Sequence, residues 1–242
     1  MDTIFDDNST INQLKLIEEA FLVLASDDEI ISEFPSIHSA SQDFLNRRSE
    51  GYTDDTEIAF LNLYCEIHRA GSNYSDQERD QLDKKHGYFN HPGGISPLLK
   101  ANTHISSQSV VADLGAGNGL QGLLFQYLYP HDRTLQVELS LEMIQIGKKF
   151  QKALNIPEEK VEWVNDDILN FDTDPVDFLY LYRPSKPLKD GLKLYEYLQG
   201  KLNGRSKPLK IFSIADCLKD FLSDDYREFY NDGHLTCFSF PQ

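Results

Sequence analysis

Apolar residues recur at helical spacing through the first ninety residues, then give way to short strand-like runs separated by helical stretches. Near the start, Leu14, Ile17, Phe21 and Leu24 share one helical face, with Ser9 or Thr10 placed to cap it. A second helix is predicted over residues 56–71, with Ile58, Leu61, Tyr64, Cys65 and His68 as its inward stripe and Gly71 as its stop. A shorter charged helix follows over 75–87 and ends near Gly87.

The texture changes after the Gly/Pro-rich break at 87–94. A short helix from Ser96 to Asn102 precedes apolar strands at 109–114, 134–139, 160–164, 177–182 and 209–215. Helical stretches after Gly119, over 141–154 and over 189–202 separate them. Strands joined by helices of this length predict a parallel sheet with right-handed crossovers. At the end, Asn231-Asp232-Gly233 is a hairpin-turn signal between 226–230 and 234–240, although a helix over 221–230 fits the first arm nearly as well. The predicted fold class is therefore α/β. It is a doubly wound, mostly parallel sheet with a C-terminal antiparallel hairpin (94–242), preceded by a helical N-terminal segment (1–93) acting as a lid or as a substrate or dimer module.

Composition refines this picture only in part. The 242 residues are 40% hydrophobic and 12% aromatic, enough for a sizeable core. The formal charge of −16 sets up a field that repels phosphate backbones and anionic membranes, so the expected partner is a small molecule or a protein, and no nucleic acid is expected. Nothing approaches the roughly 18 consecutive apolar residues of a membrane span. The acidic start MDTIFDDNST is unlike a signal peptide, and Cys65, Cys217 and Cys237 are widely spaced, as expected of reduced thiols in a cytoplasmic protein. In that setting the glycosylation sequons at Asn8 and Asn73 carry little meaning.

The candidate chemistry centres on Asp113-Leu114-Gly115-Ala116-Gly117-Asn118-Gly119, between an apolar strand and a helix. Gly115 and Gly117 let the backbone approach a ligand closely, and the helix that follows offers free N–H groups to a carboxylate. Asp113 adds an acid suited to an ammonium group. Together these donors and this acid describe a site for an amino-acid tail such as that of methionine.

These residues resemble the first motif of the class I S-adenosylmethionine-dependent methyltransferases, (D/E)xGxGxG, and the resemblance extends over residues 88–240. It implies an enzyme that transfers a methyl group and uses S-adenosylmethionine as its cofactor. It further implies that Asp113, Gly115, Ala116, Gly117 and Asn118 bind the amino-acid part, that Glu138, with Leu139 beyond it, binds the ribose hydroxyls, and that Asp167-Ile168 binds the adenine edge, with Asp166 as an alternative register. The end of the fourth strand, Tyr182-Arg183, is then expected to meet the substrate, whereas Tyr180 is expected to pack inward. Nucleobase amino-methyltransferases often carry (D/N/S)PP(Y/F) at this position, which Tyr182-Arg183-Pro184-Ser185 does not match. Tyr88, Phe89 and His91 are placed to line a lid over the cofactor, where Tyr88 is expected to bind it by its ring against the sulfonium cation, with His91 or Tyr182 as a proton acceptor.

Rival readings are separable. Gly117 to Gly122 also spells GxGxxG, but a nicotinamide fingerprint should begin directly at the strand end. No GxSxG elbow, phosphate-loop motif or HExxH is present, and the histidines show no metal-ligand spacing, so no metal is expected. A binding or regulatory protein that keeps the fold without turnover, and a protein lysine methyltransferase drawn to basic targets by its own acidity, stand as alternatives.

Overall fold

A computed structural model describes residues 7–72, 74–88, 91–215 and 218–241; Asn73, Phe89, Cys217 and the side chain of Asn8 lie outside the described residues. Five helices come first: α1 (Asp7–Leu24), α2 (Asp28–Glu33), α3 (Pro35–Glu50), α4 (Asp54–Arg69) and α5 (Asp76–Lys84). After α6 (Ser96–Lys100), strand and helix alternate as β1 (Val110–Leu114), α7 (Leu120–Leu128), β2 (Arg133–Glu138), α8 (Leu141–Ala153), β3 (Val161–Asn165), β4 (Phe178–Tyr182), α9 (Leu192–Asn203) and β5 (Leu209–Ile214). The chain closes with β6 (Arg227–Asn231) and β7 (Leu235–Phe240).

The seven strands form one sheet in the order β3-β2-β1-β4-β5-β7-β6. Pairings among β1 to β5 are parallel, and β7 runs antiparallel to both β5 and β6. This is the mixed seven-strand arrangement that the methyltransferase resemblance implies. The arm at 226–230, readable as strand or helix, is strand. Asp232 fixes the turn by accepting the His234 and Leu235 amides at 2.9 and 2.7 Å, and Gly233 takes the left-handed φ of +86° that the turn requires.

Strand alternation divides the core in two. Along β4, Phe178 and Tyr180 face one apolar cluster, while Leu179 and Leu181 face the other. The first cluster also contains Phe21, Leu24, Leu63 and Ile67 from the N-terminal helices, packed with Leu123 and Phe125 of α7 and Phe150 of α8. Helices α1 and α4 are therefore built into one core with a face of the sheet. Burying each of these side chains contributes about 1.5–3 kcal/mol before entropy is counted.

Two local expectations are corrected. Helix α1 begins at Asp7, so neither Ser9 nor Thr10 caps it. In α4 the buried face is Thr56, Ala59, Leu63, Tyr64 and Ile67, whereas Ile58 and Leu61 are exposed. Two apolar stripes compete on this helix, and the one that meets Phe21 and Phe44 through Phe60 and Tyr64 is turned inward. Helices α2 and α3, which fall within the stretch that reads as helical but without limits of their own there, have clear ends: Asp27 accepts the Glu29 and Ile30 amides at 3.0 Å, Pro35 opens α3, and Gly51 stops it. None of the described helices is long and apolar enough to cross a membrane.

Candidate functional site

A cavity of about 390 Å³ opens at the carboxyl ends of β1 to β4. Its floor is the loop after β1. Gly115, Gly117 and Gly119 have φ of +77°, +58° and +70°, which residues with a Cβ rarely adopt. The amides of Gly115 and Ala116 donate to the Val137 carbonyl at 2.9 and 3.0 Å, locking the loop to β2. Trp163 and Gln136 press against Gly119 so closely that a Cβ there would lie 2.3 Å from the indole.

Glu138, at the end of β2, is 8% exposed. Its carboxylate accepts the Gly117 and Ser140 amides, each at 2.8 Å. Burial raises its pKa and these amides oppose the rise. Beyond it, the Asn165 side chain donates to the Glu138 and Leu139 carbonyls at 3.2 and 2.9 Å, which steadies the strand end.

Asp113 is 2% exposed, and its Oδ2 has no hydrogen-bond partner among the described residues. Burial lifts its pKa from 3.8 to about 7, with the Glu138 charge adding to the rise and the Gly122 amide opposing it. Tyr180 sits opposite it in register on β4, and its hydroxyl is likewise buried and unpartnered, as is Oε1 of Gln121. All three residues line the cavity. Buried polar atoms are nearly always satisfied, so this end of the cavity is built for a polar guest.

The third strand end supplies Asp166, Asp167 and Ile168. Asp167 forms an ion pair with Lys85 and also accepts the Leu169 amide at 3.1 Å. Asp166, also in the cavity lining, accepts the Asn170 side chain at 2.8 Å and the Asp167 amide at 2.7 Å. Ile168 and Pro184 flank Gly115 across the cavity, where a Cβ would come within 3.1 Å of Pro184.

The fourth strand end carries Tyr182 and Arg183. Burial raises the Tyr182 pKa, and Arg183 opposes that rise. The Arg183 guanidinium lies 5.3 Å from the centre of the Tyr88 ring, and His91 lies 6.1 Å from the same ring. His91 itself is exposed at the mouth, whereas His68 is deep in the wall, where burial holds its pKa down to about 4.

Among the described residues, every candidate site residue except Asn118 lines this cavity. Asn118 points away from it. Its side-chain amide donates to the carbonyls of Ile67, His68 and Ala70 at 3.0, 3.1 and 3.2 Å, so it secures the end of α4. This is one of four ties between the N-terminal segment and successive strand ends. The β2 end is tied by Ser140 donating to Glu78 at 2.5 Å, and the β3 end by Lys85 with Asp167. The β4 end is tied by a β-bridge between Gly87 and Ser185. Residues that sequence reasoning left out of the site are His68, Tyr74 and Lys85 on this segment, Gln121 in the first turn of α7, and Pro184. Gln121 was within reach, since it follows the glycine motif directly.

No family model matches the chain, and no curated protein matches it. Solved structures do resemble it at low identity. An RNA methyltransferase from Salinibacter ruber in complex with S-adenosyl-L-homocysteine is 18% identical over 60% of this chain and 88% of that one, with a TM-score of 0.46. An rRNA methylase from Streptococcus thermophilus is 14% identical over 61% and 94%, with a TM-score of 0.43. A SAM-dependent methyltransferase from Agrobacterium tumefaciens is 12% identical over 62% of each chain, with a TM-score of 0.45. The expectation that no nucleic acid is involved is corrected here, because RNA methyltransferases are among the structures that resemble this chain. Net charge describes the whole surface, whereas recognition is decided by the charges at one mouth.

Proposed function

We propose that this protein is an S-adenosylmethionine-dependent methyltransferase, with the cavity above β1 to β4 as its cofactor and acceptor site. The observation that carries this reading is Asp113. A deeply buried carboxyl oxygen without a partner among the described residues, beside a left-handed glycine loop and one strand away from Glu138, fits a ligand with an ammonium group at one end and a ribose at the other. The site geometry thus fits S-adenosylmethionine, which when bound supplies an activated methyl group.

The chain's own part is placement. Asp113 holds the amino group, Gly115 to Gly117 approach the tail, Glu138 accepts the ribose hydroxyls, and Asp167-Ile168 border the adenine. Tyr182 and Arg183 border the acceptor, and His68, Tyr74, Leu82 and Lys85 of the N-terminal segment wall the cavity against water. Holding the acceptor in line with the methyl carbon is the main catalytic contribution such a site makes. His91 at the mouth is the group positioned to take a proton from the acceptor, while Tyr182, whose phenol burial keeps protonated, is placed to hydrogen-bond it. A lysine side chain as acceptor is not favoured, because Asp167 and Asp190 at the cavity wall are each already paired with a lysine.

Calorimetric titration with S-adenosylmethionine and S-adenosylhomocysteine tests the reading, on wild type and on Glu138→Ala. The expected result is binding that weakens roughly tenfold or more in the variant, the scale of a lost hydrogen bond to a charged group. Absence of binding by either ligand overturns it. Binding without methyl transfer to small molecules, proteins or RNA would instead favour a regulatory protein.

A further inference from the structure

The mouth of the cavity beside β4 carries a cationic feature that cofactor binding leaves unused. In a chain with 39 acidic and 23 basic (Lys and Arg) residues, the seven residues from Arg183 to Lys189 include three cations. Arg183 lies 5.3 Å and Lys186 Nζ 5.5 Å from the centre of the Tyr88 ring, so that ring is shared by two cations. Nε of Arg183 is buried and has no hydrogen-bond partner among the described residues. An N–H of a guanidinium left in that state is costly, and its presence points to a missing acceptor. Of the carboxylates lining the same cavity, Asp167 is engaged by Lys85, Asp190 by Lys193, Asp166 by the Asn170 side chain and a backbone amide, and Glu138 by two backbone amides, while Asp113 is the one assigned to the ammonium group.

The arrangement is held by its backbone. Tyr88 donates its amide to the Pro184 carbonyl at 3.1 Å, and Lys186 donates to the His86 carbonyl at 2.9 Å. The buried Tyr195 hydroxyl donates to the Ser185 carbonyl, and the Ser185 hydroxyl to that of Gly191. Between these ties Arg183 adopts a φ of +34°, an unfavourable conformation for a residue with a Cβ.

We infer that Arg183, Lys186 and Tyr88 form an oxyanion subsite, and that the methyl acceptor carries a phosphate or carboxylate group held there. A guanidinium fork can donate to two oxygens of such a group, and the ammonium adds a second charge. Anchoring the acceptor by a group away from its reacting atom is an effective way to orient it. The inference rests on the methyltransferase reading of the cavity.

The test is titration at fixed ionic strength with inorganic phosphate, acetate and an RNA trinucleotide, with and without S-adenosylhomocysteine, on wild type, R183Q, R183K and K186Q. Anion binding is expected in wild type and should weaken roughly tenfold or more in R183Q. R183K keeps the charge without the fork and should recover part of it. K186Q changes an exposed side chain, so it carries the test if R183Q fails to fold. A trinucleotide that binds far more tightly than inorganic phosphate supports the subsite and assigns a phosphodiester. Equal binding of phosphate and acetate, with no gain for the trinucleotide, supports it and assigns a small anion. Absence of anion binding in wild type, or equal affinity in all variants, overturns the subsite. If S-adenosylhomocysteine binds and anions do not, only this inference fails; if anions bind and S-adenosylhomocysteine does not, it is the cofactor reading that fails.

Discussion

Asn118 and Ala70 meet through a hydrogen bond of 3.2 Å, and the same side-chain nitrogen reaches Ile67 and His68. A residue of the glycine motif therefore supplies the cap for the end of α4, where helix carbonyls otherwise lack partners.

Asn118→Ala is expected to cost about 1–3 kcal/mol, because the His68 and Ala70 carbonyls lose this donor while the Ile67 carbonyl keeps the Ala70 amide. Thermal unfolding should show a melting temperature several degrees lower. An unchanged melting temperature would mean that water replaces the amide without penalty.

Asp113 makes ligand binding and stability run oppositely with pH. Its pKa rises from 3.8 to about 7 on folding, so the stability it contributes is fully present below 3.8 and lost as pH climbs through 7. An ammonium guest needs the ionised form, so affinity for S-adenosylmethionine should tighten between about pH 6 and about pH 8. Asp113→Asn should flatten that pH dependence, and the ligand-free variant should melt above wild type at about pH 8. Parallel pH profiles for the two proteins would sink this account.

The ion pair between Lys85 and Asp167 occupies the acid assigned to the adenine edge. With both side chains part-exposed, it is worth about 0–1 kcal/mol and is screened by salt. Lys85→Met is therefore expected to raise S-adenosylhomocysteine affinity by up to roughly fivefold at low salt, with the difference vanishing at high salt. Weaker binding in the variant would show that Lys85 contacts the ligand itself.

Gly147 of α8 packs where a Cβ would lie 2.7 Å from the Asn118 carbonyl and 2.1 Å from Trp163. Gly147→Ala should destabilise by about 1–3 kcal/mol through overpacking. Chemical denaturation with an unchanged slope would register the loss; wild-type stability would show that α8 shifts freely.

The sheet was legible because each of its elements repeats a local signal. Apolar runs at β1, β4 and β5, the Gly115 loop and the Asn231-Asp232-Gly233 turn all state their conformation within a few residues. The phase of α4 was not, since Ile58 and Leu61 are as apolar as Ala59 and Leu63, and only the rings of Phe21 and Phe44 decide between them. The same division holds at the site. Asp113 and Glu138 sit at strand ends, whose positions follow from the topology. Asn118 lies inside the glycine motif, yet its side chain answers to α4, some fifty residues earlier. Lys85 and His68 join the cavity wall only through long-range packing, which no spacing within their own helices records.

The four ties that run along the strand ends, from Asn118 to Ser185, make the end of α4 and the α5 segment a wall of the same chamber that the sheet floors. Any molecule filling that chamber touches both halves of the chain and so acts as mortar between them. By mass action, a ligand present at a hundred times its Kd adds about 2.7 kcal/mol to the assembled form. Cleavage by a protease in the stretch joining α5 to α6 should therefore slow as the chamber fills, which turns a simple digestion into a gauge of occupancy.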